Sequence, residues 1–456
     1  MAMMQGFSNA FRIPTLRKKI MVTLGLVVVC RLVSQVWLPG IDLEVLATHT
    51  RGGGSNALMN MLDIFTGGGI SQCSIGFLSI WPYISAQIMI QLLGSVIPQL
   101  AKMKKDGENG RQQLAQITRI VAIVICVFQA WGIASVLQSP ELCVNYLGLS
   151  GAVAHDVHPL GFPLMTVIGM TSASLFIMWI ADQITTFGIG NGGSLIIMIN
   201  ITSRFPVALT ALWRKYVTEM NLNPTAITTV ALLALFFVVV VMGTVMLTQG
   251  VRKVAIHSTR RAVAGGASYG MQQTFMPLRV NYTGVMPIIF AQPIIQVLAW
   301  LLKLVSWEPV HDFGEALSTL RGPGYLVMYA VLIMFFTFFW VATQFNAIDI
   351  SDNLKKEGSY VPGIRPGRAT AEYLDDVMTK ITLIGGSGLL VVALVPLLLS
   401  NIFQVEWVVA SFFGGTSLLI VVGVALDTLR IMESHLLVRK YEGFLSHGSL
   451  RGRGGM

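Results

Sequence analysis

Long apolar runs, separated by shorter polar stretches, set the rhythm of this chain of 456 residues. Crossing a hydrocarbon core as helix takes about 20 residues. Runs of that order fall at 20–37, 75–97, 118–137, 160–181, 193–213, 226–247, 283–304, 325–345, 381–399 and 408–426. They predict an all-α fold of ten membrane spans, and because that number is even, both ends of the chain lie on one side of the bilayer. Only Asp182 to Gly192 separate the fourth run from the fifth.

Basic residues decide which side that is, because Lys and Arg are retained in the cytoplasm. With the first end placed inside, segments 1–19, 98–119, 182–192, 248–279, 346–380 and 427–456 hold 24 of the 31 Lys and Arg. The opposite segments hold six, and the last is Arg31, within the first run. Both termini are therefore expected in the cytoplasm. The net charge of +9 belongs to inner loops and is not by itself a nucleic-acid footprint. Charged residues make up 12% of the chain and hydrophobic ones 54%, against roughly 25% charged in soluble domains. No cleavable leader is expected: Phe11 to Lys19 mixes basic and apolar residues, which suits a segment in the inner headgroup layer or a plain positive-inside anchor. Cys30, Cys73, Cys126 and Cys143 form no C-x-x-C pair and are expected to be small packing residues rather than disulfides or zinc ligands.

Two motif-like strings carry no chemistry in this setting. Gly188 to Gly193 fits G-x-G-x-x-G, but it joins two spans, whereas a dinucleotide fingerprint follows a strand in a βαβ unit. His155 and His158 sit in an outer loop without a second ligand pair. No nucleophile elbow, H-E-x-x-H or Walker A string is present, so an enzyme has no residues to carry it. Ionisable groups inside a bilayer usually mark an ion path. Here Arg31 is the one well inside a span, and Asp182 and Lys303 lie at span ends. An ion-coupled transporter would bury carboxylates, and that pattern is missing.

Taken as five plus five, each half has an irregular second span. The first is prefaced by the run from Met61 to Gln72, which holds Gly67, Gly68 and Gly69, and then carries Pro82; the second carries Gly284, Pro287 and Pro293. Matching Gly/Pro-broken segments in two halves point to the pathway. Three successive glycines do not continue a helix facing lipid, since the freed backbone groups would lack partners there. The segment is expected to fold into a protein-lined cavity from the outer side, as a short movable helix. On the inner side, 248–279 combines an alternating run with Arg260, Arg261 and a Gly265-Gly266 turn, which predicts a protruding hairpin. Within 346–380, Pro362 and Pro366 hold an exposed turn around Arg365.

Together these residues resemble the SecY family, channel subunits of bacterial protein translocases. The strings that carry the likeness run in order: Phe65 to Gly69, Pro82 to Ala86, Gly107 to Arg111, Gly188 to Gly192, Pro277 to Asn281, Asp352 to Lys356, Val361 to Gly367 and Gly414 to Ile420. The resemblance implies two inverted, pseudo-symmetric halves of five helices around a central hourglass pore. Its domains would be a cytoplasmic segment 1–19, halves 20–225 and 226–426, and a cytoplasmic tail 427–456. It implies a pore ring of Ile80, Ile84, Ile197, Ile289, Ile294 and Ile420. The plug would be Met61, Leu62, Asp63, Ile64, Phe65, Thr66, Gly67, Gly68, Gly69, Ile70, Ser71 and Gln72. Gln91 and Asn281 would be polar members of a lateral gate, and Arg252, Lys253, Arg260, Arg261 and Arg365 would meet motor or ribosome. Gly265-Gly266 stands where the family often has a second basic pair, a departure from the family pattern at that tip.

Implied too are partners similar to SecE and SecG, the SecA motor ATPase, the ribosome, and unfolded secretory and membrane proteins as substrates, with no cofactor. The location would be a bacterial plasma membrane, with a plastid membrane as the alternative. A secondary transporter would need a small-molecule site and coupling residues, and a membrane enzyme would need clustered Asp, Glu, His or Cys.

Overall fold

The structure is a computed structural model and describes residues 14–41, 63–139, 143, 161–215, 224–258, 274–305, 307–318, 322–402, 407–412 and 414–447. The chain divides into two compact units, residues 1–206 with 424–456, and residues 207–423.

In the first unit, α1 (Pro14–Val33) is followed by α2 (Trp81–Val96), α3 (Pro98–Lys105), α4 (Gly107–Gln138), α5 (Gly161–Phe187) and α6 (Gly192–Ser203). α4 packs against α2 and α5. It does so along a stripe of small residues, Thr118, Ala122, Cys126, Ala130 and Ala134, at every fourth position. Small side chains let helix backbones approach closely where no hydrophobic gain drives them together. The opposite face of α4 carries exposed Ile120, Val124, Phe128 and Trp131, the inverse of a water-soluble helix. α1 likewise exposes Met21, Leu24, Val28 and Leu32.

The Gly188–Gly193 string connects α5 to α6. Asn191 caps α6 by accepting from Ser194 N at 3.2 Å, and Thr185 Oγ1 accepts from Gly192 N at 2.9 Å. A Cβ on Gly192 would run into the Ala181 carbonyl. Close helix approach therefore explains this glycine.

The second unit holds α7 (Phe205–Trp213, beginning just before the division), α8 (Pro224–Gln249), β1 (Val251–Ser258), β2 (Thr274–Arg279), α9 (Met286–Lys303), α10 (Glu308–Ser318), α11 (Pro323–Gln344), α12 (Ala347–Lys356), β3 (Ser359–Tyr360), α13 (Arg368–Ile402), α14 (Trp407–Phe412) and α15 (Gly415–His447), whose later part lies in the first unit. Its core gathers Ile288, Ile295, Tyr325, Tyr329, Ile333, Leu389 and Leu419 from α9, α11, α13 and α15. The strands form one sheet in the order β2-β1-β3. β1 and β2 are antiparallel, with Val251 opposite Arg279, as the alternating run predicts for a hairpin. The pairing of Ser359 and Tyr360 with Ser258 and His257 was not legible in the sequence.

Among the described residues, eight helices are long and apolar enough to cross a membrane, and α2 with α3, bent by 105°, adds a broken ninth. α1, with basic residues at both ends, fits a ten-span layout. Several expected boundaries move, three of them for plain physical reasons. The second span starts at Trp81 rather than 75, because Cys73 and Ser79 have positive φ and Pro82 opens the helix. α13 begins at Arg368 rather than 381, since its first turns have a polar face that an apolar window overlooks. The tenth span is broken before Gly415, where Gly415 has φ +67 and a Cβ on Gly414 would meet Val395 Cβ at 2.7 Å.

Candidate functional site

Asp63–Thr66 forms a single helical turn, after which the chain runs irregularly to Ile80. Gly67 and Gly68, with φ +69 and +101, end the turn in a conformation that L side chains rarely adopt. Asp63 folds forward over them: its Oδ1 accepts from Ile70 N at 3.0 Å and from Ser71 N at 2.9 Å. Its other carboxylate oxygen pairs with Arg204, which follows the last residue of α6. Arg204 Nη2 also donates to Ser71 Oγ at 2.6 Å.

A second guanidinium completes the seat. Arg31 Nη2, near the end of α1, donates to Gly67 O at 3.1 Å, and its Nη1 donates to Asn200 Oδ1 at 3.4 Å. Asn200, fully buried in α6, donates from Nδ2 to Phe65 O and to Ser79 Oγ, both at 3.1 Å. The glycine run now has a reason. A Cβ at Gly67 would run into Arg31 Nη1, one at Gly68 would stand 3.2 Å from Arg204 Cζ, and one at Gly69 would stand 3.0 Å from Gly76 O. The glycines make room for two cations and a close backbone. A buried charge is costly unless paired and hydrogen-bonded, and Asp63 has an ion pair and two N–H donors.

The apolar side of the segment is buried as well. Phe65 lies 5.9 Å from Trp81 between ring centroids. Ile70 joins Leu38, Cys73, Phe77, Cys143 and Phe162 in one cluster. All four cysteines are buried, as expected of packing residues. Burial, and after it the neighbouring Cys143, pushes the Cys73 thiol up to about 12. Asp63 to Gln72 of the expected plug thus lie in this seat, while Met61 and Leu62 lie outside the described residues. Sequence reasoning singled out Arg31 but missed Asn200 and Arg204. The signal available was an Asn in the middle of an isoleucine-rich span.

Of the six isoleucines, Ile80, Ile84 and Ile197 pack in one cluster of the first unit with Cys30, Ile180 and Ile196. Ile289 and Ile294, half-buried on α9, and Ile420, buried on α15, belong to the second unit. Gln91 is half-buried on α2. Asn281 is half-buried before α9, and its Oδ1 accepts from Thr283 Oγ1 at 3.4 Å.

Arg252 and Lys253 are exposed on β1, whereas Arg260, Arg261, Gly265 and Gly266 lie outside the described residues. Arg365 is exposed on the turn between β3 and α13. The turn is anchored beneath it. Val361 is buried, Gly363 and Gly367 have φ +81 and +105, Thr370 Oγ1 donates to Arg365 O at 2.9 Å, and Ser351 Oγ donates to Gly367 O at 2.7 Å. α12 beside it is capped by Asn346 Oδ1, which accepts from Ile348 N and Asp349 N.

Comparison with known proteins decides the family. The SecY family model matches residues 74–429. The protein translocase subunit SecY of Thermotoga maritima is 36% identical over 99% of this chain and 100% of its own length. The chain belongs to the SecY family. The SecY of Chlamydia muridarum is 37% identical over 99% of this chain and 100% of its own, and that of Streptomyces coelicolor 36% over 97% and 100%. The SecY-family fold is shared with a solved protein-conducting channel at a TM-score of 0.58 and 16% identity, covering 92% of this chain and 93% of the other. A SecY whose plug domain is described as stabilising the closed state gives 0.57 and 15%, with 92% of each chain covered. Canine Sec61 in a ribosome–channel complex gives 0.55 and 16%, covering 92% of this chain and 93% of the other. The chain is a multi-pass membrane protein of a family of channel subunits, and its class of work is conducting protein rather than catalysing a reaction.

Proposed function

We propose that this chain is the pore of a translocase in a bacterial plasma membrane, passing unfolded secretory proteins outward and releasing apolar segments sideways into lipid. The observation that carries this reading is the glycine-broken segment seated against α1 and α6 in a chain that matches SecY relatives from end to end. An extended polypeptide has unpaired backbone groups costing several kcal/mol each in hydrocarbon, so it has to cross through a wet, protein-lined path. Ile80, Ile84, Ile197, Ile289, Ile294 and Ile420 are its closing ring: aliphatic groups fit varied sequences, and dewetting helps to seal an empty constriction. Residues 61–72 are its plug, and Gln91 and Asn281 are polar members of the lateral gate. The working halves are 20–225 and 226–426, with the segments 1–19 and 427–456 in the cytoplasm.

The driving force comes from partners, a SecA-like motor ATPase or a translating ribosome, and SecE-like and SecG-like subunits complete the complex. Exposed Arg252, Lys253 and Arg365 offer charge to such partners, with Arg260 and Arg261 as further candidates. The test is photo-crosslinking to a secretory precursor arrested in transit. A photoreactive residue at Ile84 or Ile289 is expected to capture the precursor, and one at Phe128, on the exposed face of α4, is not. Equal capture at all three positions, or none at Ile84 and Ile289, would overturn the ring assignment.

A further inference from the structure

We propose that Asp63 and Arg204 are the latch of the seated segment, positioning residues whose ion pair has to open before residues 63–80 leave α6. The inference rests on the channel reading and adds a device to it.

Side-chain contacts join the segment to the helices at few points. Arg31 and Asn200 bind it through the carbonyls of Gly67 and Phe65, and Asn200 also reaches the Ser79 hydroxyl. Water replaces the carbonyl and hydroxyl partners at modest net cost once the segment lifts, more where the donor is the charged Arg31. Asp63 is different, because its carboxylate meets a guanidinium with both side chains largely buried. Its remaining partners, Ile70 N and Ser71 N, belong to the same segment and travel with it. The segment is also tied to the stretch after α1 by two neutral backbone bonds, Leu38 N to Cys73 O at 3.0 Å and Ile75 N to Val36 O at 2.8 Å. Lifting it from α6 as a unit leaves its internal bonds whole and separates one opposite-charge pair, with the Ser71 bond to the same Arg204 going along. The apolar contacts of Ile64, Phe65 and Ile70 add adhesion without directionality. Gly68 completes the device, since only a residue without a Cβ lets the Arg204 guanidinium lie over the turn.

The segment contains its own reporter. Cys73 is fully buried in the seat, and a thiol reacts as the thiolate and only when reached by reagent. The experiment measures alkylation of Cys73 by N-ethylmaleimide, peptide by peptide, in membranes holding the complete complex without precursor. Asp63→Asn keeps the acceptor for Ile70 N and Ser71 N while removing the charge, and Arg204→Gln removes its partner.

Each single variant is expected to speed alkylation by about tenfold or more, since local opening follows the lost interaction. The double variant is expected to react no faster than either single one, the non-additivity that marks a coupled pair. Parental rates in both single variants, or additive increases in the double, would overturn the latch. Reaction of Leu374→Cys, a buried position of α13 outside this cluster, together with Cys73 would mark general loosening and would also count against it. Translocation by the parent complex is measured separately: its failure sinks the channel reading, while the thiol cycle still judges the latch.

Discussion

Arg365 shows how much a single side chain owes to the backbone beneath it. Two glycines in left-handed conformation, buried Val361 and the bonds from Thr370 and Ser351 fix the turn, so that an exposed guanidinium is held in place before any partner arrives. A pre-ordered Arg loses little freedom on binding, and its planar fork makes paired bonds to a carboxylate or phosphate that Lys reproduces poorly. Breaking such a contact costs about 2–5 kcal/mol. Arg365→Glu is therefore expected to reduce motor-driven translocation in vitro by more than about tenfold at normal assembly. Arg365→Lys should fall between Glu and parent. If Lys is silent and Glu mild, Arg365 serves only the positive-inside count. The glycines at 67 and 68 make the complementary point: their meaning lies in Arg31 and Arg204, which stand far away in sequence.

At the scale of elements, periodicity and composition go a long way in this chain. Apolar runs located the spans because lipid demands them, and the alternation from Val254 to Thr259 located the hairpin because a strand exposes alternate residues. The sequence pattern was silent where tertiary contact decides. β3 is two residues long and exists only by pairing with β1. α10 is an amphipathic helix too polar for an apolar window. The partners of the glycine-broken segment, Arg31, Asn200 and Arg204, come from α1 and α6, and no local signal links them to it. Family likeness supplied the proposed isoleucine ring and the proposed role of the 61–72 run as a plug, which residue chemistry alone did not. On the proposed function, the segment 63–72 acts as a seal and not as a catalyst. Its deletion, like Ile84→Gly combined with Ile289→Gly, is expected to preserve export, raise ion leak several-fold and relax signal-sequence stringency. Planar-bilayer conductance and export of signal-defective precursors measure this, and parental values in both variants would count against plug and ring alike.

For the whole molecule, the bias of 24 inner against six outer Lys and Arg is an energetic statement about orientation. Cys143 is a poor reporter of the outer side because it is fully buried. Exposed positions serve instead: His311→Cys on α10 is expected to react with an impermeant maleimide in intact cells, and Glu357→Cys only after the membrane is opened. The reverse pattern would invert the topology. The central claim, that the chain conducts unfolded protein when a partner drives it, is tested most directly by reconstitution. The purified chain with its small membrane subunits is placed in liposomes and given a secretory precursor, the motor ATPase and ATP. Protection of the precursor from added protease, dependent on ATP and absent from liposomes lacking the chain, is the predicted result. Equal protection without the chain, or none in its presence at full assembly, would contradict the account.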